Sequence, residues 1–446
     1  MASVRQRFGP ALYMGGGLAL VGAAGYGFVA LAGHTLPPAE AAAVASLYLM
    51  VNIIGPGLFS ALEQETSRSV SAELVAGRGV GHVARNAWLL AGGLLAAVLV
   101  VLVAISPILT PRALAGQWGL FVAVLISVAT SAAVYVVRGL LGGQQRFTGY
   151  AATLGLEGIA RILPCVVIAV SGIPNAVGYS IIFALGSGFG ALAGLPWLRR
   201  PAEAPAATVA DSKPPATVGQ MGRALSFLVG GTLLMLVVMN VTPIVVTPRL
   251  GADAATAAAF ASAFVLARIP LFLFAPVQAM LLPALTRAAT RGDFAGVRAK
   301  LRLILVAVAV IGLPGVLASF TVGPWAVQVL FGADVRLSGF VVGLLGVSTI
   351  GLMVAQVLQP GLIALGRHKL VTVAWLTGTV VLVALLALPG DPIRAGVAAQ
   401  LAGSALVVSV MLTALYRALQ ARTTPASAER EAGLVGGGSG VASTPG

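Results

Sequence analysis

The chain has 446 residues, of which 58% are hydrophobic and 9% charged, with a mean hydropathy of +0.99. Soluble domains carry about 25% charged residues, so this composition excludes a water-soluble enzyme and, by the same numbers, a disordered chain. The excess of 27 Lys and Arg over 13 Asp and Glu would point to nucleic acid in a soluble protein; in a chain solvated by lipid it belongs in cytoplasmic loops instead, and no nucleic-acid partner is expected.

A membrane-spanning helix needs about 20 predominantly apolar residues. Twelve windows qualify: 11–33, 41–62, 87–106, 117–137, 150–171, 177–198, 224–247, 256–282, 303–322, 338–359, 370–388 and 395–416. Turn formers separate them, as at His34–Pro38, Gly172–Asn175 and Pro389–Pro392. The start of the chain, with Arg5, Arg7 and Ala30-Leu31-Ala32, resembles a signal peptide, but its apolar run is longer than the usual 7–15 residues. It is read as the first span. With the N-terminus placed in the cytoplasm, 21 basic residues fall inside and only Arg112, Arg249, Arg336 and Arg394 outside. This bias predicts a multi-pass protein of the cytoplasmic (inner) membrane with both termini cytoplasmic.

The expected fold is all-α: about twelve transmembrane helices in two pseudo-symmetric six-helix bundles around a central cavity. The N-terminal bundle takes residues 1–200, a Pro- and Ala-rich cytoplasmic linker 201–222, the C-terminal bundle 223–417 and a disordered cytoplasmic tail 418–446. The halves echo one another in order: Phe8-Gly9-Pro10 against Phe227-Leu228-Val229, Gly77-Arg78-Gly79 against Arg291-Gly292-Asp293, and Gly143–Arg146 against Gly366–Lys369. Six spans per half make the repeats parallel, with the cavity at their interface. Segments 63–86 and 286–302 read as short amphipathic helices on the cytoplasmic surface.

Chemistry-bearing residues are few. The lone Cys165 lies in an apolar run, and His34, His82 and His368 have no clustered ligands, so no metal and no cofactor are expected. Phosphate-loop, nucleophile-elbow and HExxH patterns do not occur, so the chain is not expected to be an enzyme. Ionisable groups within spans are costly and are functional candidates by default. Glu157 and Arg161 share one face of the fifth span at i,i+4. They read either as a self-satisfied pair that fixes packing or as a cavity-facing pair. Arg268, near the middle of the eighth span, has only apolar residues at i±3 and i±4, and Pro270 follows it. It is satisfied by the carbonyl of Leu266, by Glu157, or by an anionic ligand such as phosphate or pyrophosphate, which a guanidinium fork suits. Asn240, Gln278, Gln356 and Gln359 are polar span residues that, as a set, could bond sugar hydroxyls. Gly186, Gly190 and Gly194 form a packing ridge on the sixth span.

Residues 138–161, RGLLGGQQRFTGYAATLGLEGIAR, and residues 264–293, FVLARIPLFLFAPVQAMLLPALTRAATRGD, resemble the polysaccharide-lipid (oligosaccharide) flippase family of the multidrug/oligosaccharidyl-lipid/polysaccharide exporter superfamily. The resemblance covers roughly residues 5–420 and implies two six-helix bundles in a V around a cavity. It implies movement of an anionic polyprenyl-(pyro)phosphate-linked oligosaccharide or glycan precursor from the inner to the outer leaflet. Arg161 and Arg268 stand where a cationic receptor for the head would fall, and an envelope glycosyltransferase or polymerase would be the neighbouring partner. Drug exporters of the superfamily use membrane carboxylates for a coupling ion, H+ or Na+; here the spans offer only Glu157, beside an arginine. The rival readings are an ion-coupled multidrug or metabolite antiporter of the same fold and a non-transporting scaffold for envelope synthesis.

Overall fold

The computed structural model describes residues 2–199, 217–271, 274, 281, 285, 288–289 and 291–436. Among them there is no strand. Helix α1 runs Ala2–Thr35 and α2 Pro38–Ile54; a π turn, Gly55–Phe59, joins α2 to α3, Ser60–Val75. Then come α4 (Gly81–Ala113), α5 (Trp118–Gly143), α6 (Phe147–Val170), α7 (Ala176–Leu198), α8 (Val218–Arg249) and α9 (Ala254–Ala267). The second half continues with α10 (Phe294–Thr321), the short α11 (Gly323–Phe331), α12 (Gly339–Ala364), α13 (His368–Leu386) and α14 (Pro392–Gly436). Twelve of these stretches are long and apolar enough to cross a membrane.

The packing repeats between the halves. In the first, α1 lies on α6, α6 on α7, α5 on α7 and α4 on α5; in the second, α8 lies on α13, α13 on α14, α12 on α14 and α10 on α12. Across the divide α1 meets α9 and α2 meets α8, the same pair with the halves exchanged, while α2 meets α9 on the axis. The α2–α3 run is central, with 78% of its apolar window buried, whereas the windows in α4 and α10 are 17% and 11% buried and present Val100, Leu303 and Leu317 outward. In lipid those outward residues need no cover, because the solvent itself is apolar.

The second span is where the expectation and the structure differ most. Residues 63–74 are not a separate helix: α3 prolongs the second span to Leu74, burying Glu65, Thr66, Ser69, Val70 and Glu73 on one face and exposing Gln64, Arg68 and Ala72 on the other. The polar residues that made the segment look interfacial are paired locally: Arg68 donates to Glu65 at 2.6 and 2.9 Å, and Arg78 to Glu73. Small residues let it in. A Cβ on Gly139 would lie 2.9 Å from the Glu63 carbonyl, and one on Gly143 2.7 Å from the Ser67 carbonyl, so α3 and α5 meet backbone to backbone. The π turn arises where Pro56, lacking an N–H, sits between two glycines. Likewise 294–302 are the first turns of α10 and not a separate helix, with Val297 and Leu301 buried on one face. Within the expected linker, residues from Val218 onward are helical and 201–216 lie outside the described residues; in the expected tail α14 continues to Gly436, and residues 437–446 lie outside the described residues.

At the face where α1 ends, the halves touch. Gly332 adopts φ +63° to end α11, which turns the chain against α1. A Cβ on Gly33 would fall 1.8 Å from the Phe331 carbonyl oxygen. Ordinary contact needs about 3.5 Å, so Gly33→Val is expected to force α1 and α11 apart by about 1.5 Å or more. Spin labels at Pro37 and Asp334 should then show a longer separation by double electron–electron resonance; an unchanged distance would mean this contact does not hold that face shut. Arg249, one of the four basic residues expected outside, caps a helix there: it donates to the carbonyls of Leu386 and Leu388 at 2.5 and 2.8 Å.

Candidate functional site

A cavity of about 150 Å³ lies between the halves, lined by Tyr26 of α1, Tyr48 and Asn52 of α2, Pro56 of the π turn, Met239 and Asn240 of α8, and Arg268. The local sequence builds its polar rim. Asn52 and Asn240 each donate their amide N–H to the carbonyl four residues back, Tyr48 at 2.8 Å and Leu236 at 3.0 Å. Both amides are thereby tethered to their own helices beside the cavity.

Arg268 closes the cavity from the second half. The regular helix stops there: Arg268 is the cap of α9 and its N–H bonds to Val265 at 3.0 Å, two residues before Pro270. The side chain is 7% exposed. Its guanidinium lies 4.3 Å from the centroid of the Phe264 ring and gives one hydrogen bond, Nη1 to Thr349 Oγ1 at 3.0 Å. Nε and Nη2 have no hydrogen-bond partner among the described residues. Neither the Leu266 carbonyl nor Glu157 satisfies the side chain. Buried donors are almost always paired, and a charged one left short requires an explanation.

Glu157 and Arg161 sit elsewhere. They belong to a cluster between α5, α6 and α7 and do not line the cavity. Glu157, 3% exposed, accepts from Arg138, from Arg161 at 2.6 Å and from Ser187 at 2.8 Å. Arg161 also bonds Ser187 at 2.8 Å and stacks on Phe183 at 4.5 Å. The glycine ridge of α7 makes room: a Cβ on Gly186 would lie 2.3 Å from Arg161 Cγ, and one on Gly190 3.1 Å from Glu157 Cβ. Arg138 donates Nε to Thr153 at 2.9 Å and lies 5.9 Å from the ring centroids of both Tyr135 and Tyr150. A link toward the cavity is aromatic: Phe183 stacks on Phe28 at 4.4 Å and meets Tyr48 edge-on at 5.8 Å.

The amides divide in the same way. Asn240 lines the cavity; Gln356 is buried with its amide 3.7 Å from the sulfur of Met239, a cavity residue. Gln359 accepts from the indole of Trp375 at 2.9 Å and holds α12 to α13. Gln278 lies outside the described residues. Sequence reasoning missed Arg138, which closes a span and so reads as a loop cation, and Thr349, Tyr26 and Tyr48, which carry no charge to betray them.

No family model matches the chain. Uncharacterized proteins of two Mycobacterium tuberculosis strains, CDC 1551 / Oshkosh and H37Rv, are 28% identical over 419 residues, 91% of this chain and 91% of theirs. Among solved structures, the inward-facing conformation of a multidrug resistance MATE family transporter of the MOP superfamily aligns at TM-score 0.68 and 15% identity, over 91% of this chain and 95% of that one. A eukaryotic MATE transporter aligns at 0.62 and 13% identity, over 94% and 99%. The lipid II flippase MurJ in an inward closed conformation aligns at 0.59 and 13%, over 92% and 89%. With twelve candidate spans in two related halves, the chain is a multi-pass membrane protein with the fold shared by MATE transporters of the MOP superfamily and the lipid II flippase MurJ.

Proposed function

We propose that the protein is a flippase, not an enzyme, that moves an anionic polyprenyl-(pyro)phosphate-linked oligosaccharide or glycan precursor from the inner to the outer leaflet of the cytoplasmic membrane by alternating access. The observation that carries this reading is Arg268: a buried guanidinium at a cavity between the halves, with two nitrogens that have no hydrogen-bond partner among the described residues. A planar fork of that kind matches two oxygens of a phosphate. Among the described residues the cavity lining holds an arginine and no carboxylate, which suits an anion and disfavours the cationic drugs an acidic cavity would take. The name of the lipid II flippase supplies the lipid-linked class, and the carriage of a lipid-anchored head through a cavity open to one leaflet at a time follows from two halves that hinge. The face that holds the chain termini is assigned to the cytoplasm on the bias of basic residues.

The test is reconstitution in proteoliposomes with a fluorescent polyprenyl-pyrophosphate sugar, scored by its access to a membrane-impermeant quencher. Wild-type protein is expected to move it and to leave the uncharged polyprenyl sugar where it is. Equal movement of both, or export of a cationic dye in preference to either, would overturn the assignment of the cargo.

A further inference from the structure

A groove of about 580 Å³ runs along the lipid-facing side of the first half, away from the cavity at Arg268. One wall is α4, at Trp88. The other is α7, from Leu185 to Leu195, and α5 forms the floor at Thr130 and Ala133. None of these three helices lines the cavity. The groove exists because α4 packs on α5 and stands off α7, whereas α10, its counterpart in the second half, also reaches α14. Small residues set its depth: a Cβ on Gly188 would lie 3.1 Å from Thr130 Cγ2, so α7 rides close on α5 while the larger Trp88 and Leu192 stand up exposed at the rims. The Thr130 hydroxyl is turned away from the groove's contents, donating to the Ala184 carbonyl at 2.7 Å. The floor therefore offers an occupant methyl and methylene groups alone.

Depth and charge together select that occupant. The α7 wall is ten residues long, about 15 Å at 1.5 Å per residue, which is half of a hydrocarbon core of about 30 Å. It ends toward the face that holds the chain termini, where α4 begins and α7 finishes. The groove thus spans one leaflet. At that end Arg85 precedes Trp88 by three residues on α4, and Arg199 follows Leu195 by four at the end of α7. These spacings put each arginine on the same helix face as the groove residue it flanks. Both arginines are exposed, and neither guanidinium has a hydrogen bond or ion pair among the described residues. No carboxylate lines the groove among the described residues. Trp88, one turn deeper than Arg85, sits where tryptophan marks the boundary between chains and headgroups.

We propose that this groove is a binding site for one anionic glycerophospholipid of the leaflet on the side of the chain termini. An acyl chain lies between α4 and α7, and the phosphate sits at Arg85 and Arg199. The lipid is a resident of the first half and not the cargo, since the groove shares no residue with the cavity at Arg268.

The test is native mass spectrometry of the full chain in detergent, titrated with phosphatidylglycerol or with phosphatidylcholine of the same acyl chains. The first phosphatidylglycerol is expected to bind about thirtyfold more tightly than phosphatidylcholine, about fivefold for each arginine. Arg85→Gln combined with Arg199→Gln should bring the two lipids level. Ala133→Phe, which fills the floor, should weaken the first binding step of both lipids about tenfold or more; if that variant does not fold, the exposed arginine pair decides the matter. Equal binding of the two lipids by wild type, or a preference that survives the double substitution, overturns the site. Binding indifferent to a folded Ala133→Phe overturns it as well, because the acyl chain would then lie elsewhere. No cargo is present in this experiment, so its result and that of the flippase assay are independent.

Discussion

Arg268→Met is expected to lower affinity for a pyrophosphate-bearing lipid about a hundredfold while leaving the protein as stable as before, or more so. The two halves of this expectation have one cause. Two charge-assisted donors without a partner among the described residues, at about 1.5–3 kcal/mol each, supply about 3 kcal/mol or more toward an anion, and each 1.4 kcal/mol is about tenfold in affinity. Without the anion those donors are a cost. The guanidinium is buried with one hydrogen bond and one ring contact, and an apolar side chain of similar length removes an incompletely compensated charge. Such replacements are neutral or stabilising by about 1–4 kcal/mol. Thr349 is not orphaned by the change, since its hydroxyl already bonds the Leu345 carbonyl at 3.0 Å. Titration calorimetry with farnesyl pyrophosphate, alongside thermal melting in the same detergent, reads both quantities. A folded variant that binds as tightly as wild type would take Arg268 out of the site, and a large drop in melting temperature would make it a structural residue.

How much of this could be read in the chain beforehand depends on what each residue needs in order to be recognised. Spans announce themselves by composition, so the twelve apolar windows correspond one for one to the twelve candidate spans of the structure. Ends do not, because glycine and paired charges allow a polar segment to stay buried: Glu65 and Arg68 at i,i+3 look interfacial until Gly139 and Gly143 bring α5 against them. Arg268 was legible because a cation amid Phe264, Val265, Leu271 and Phe272 has no local partner, an argument that needs no fold. For Glu157 and Arg161 the i,i+4 spacing predicted the pair itself, which forms at 2.6 Å, but could not decide between cavity and packing. That depends on Arg138 of α5 and Ser187 of α7, which reach the same carboxylate from 19 and 30 residues away. Gln359 likewise looked like a cavity residue only until the indole of Trp375, 16 residues on, claimed it.

Glu157→Leu is expected to destabilise the protein by about 3–5 kcal/mol, the usual cost when one partner of a buried pair is removed. Here the loss strands two cations. Arg138 and Arg161 converge on the two oxygens of Glu157 from opposite sides, with side chains 6% and 13% exposed, so without the carboxylate they repel one another in an apolar setting. Arg161→Met is expected to cost less, about 2 kcal/mol: its bonds to Glu157 and Ser187 and its contact with Phe183 go, but Glu157 keeps Arg138 and Ser187, so no charge is stranded. The ordering matters more than the sizes. A cluster that exists to hold α5, α6 and α7 together should fail in proportion to the charge left unpaired, and its members should alter folding yield and melting temperature without altering affinity in the protein that does fold. A cluster that received the lipid head would behave in the opposite way. Melting curves and pyrophosphate-lipid affinities of Glu157→Leu, Arg138→Met and Arg161→Met, set beside Arg268→Met, separate the two. If Arg161→Met weakened binding tenfold or more with an unchanged melting temperature, the guanidinium would belong to the site, and the contact of Phe183 with Tyr48 would be its route to the cavity.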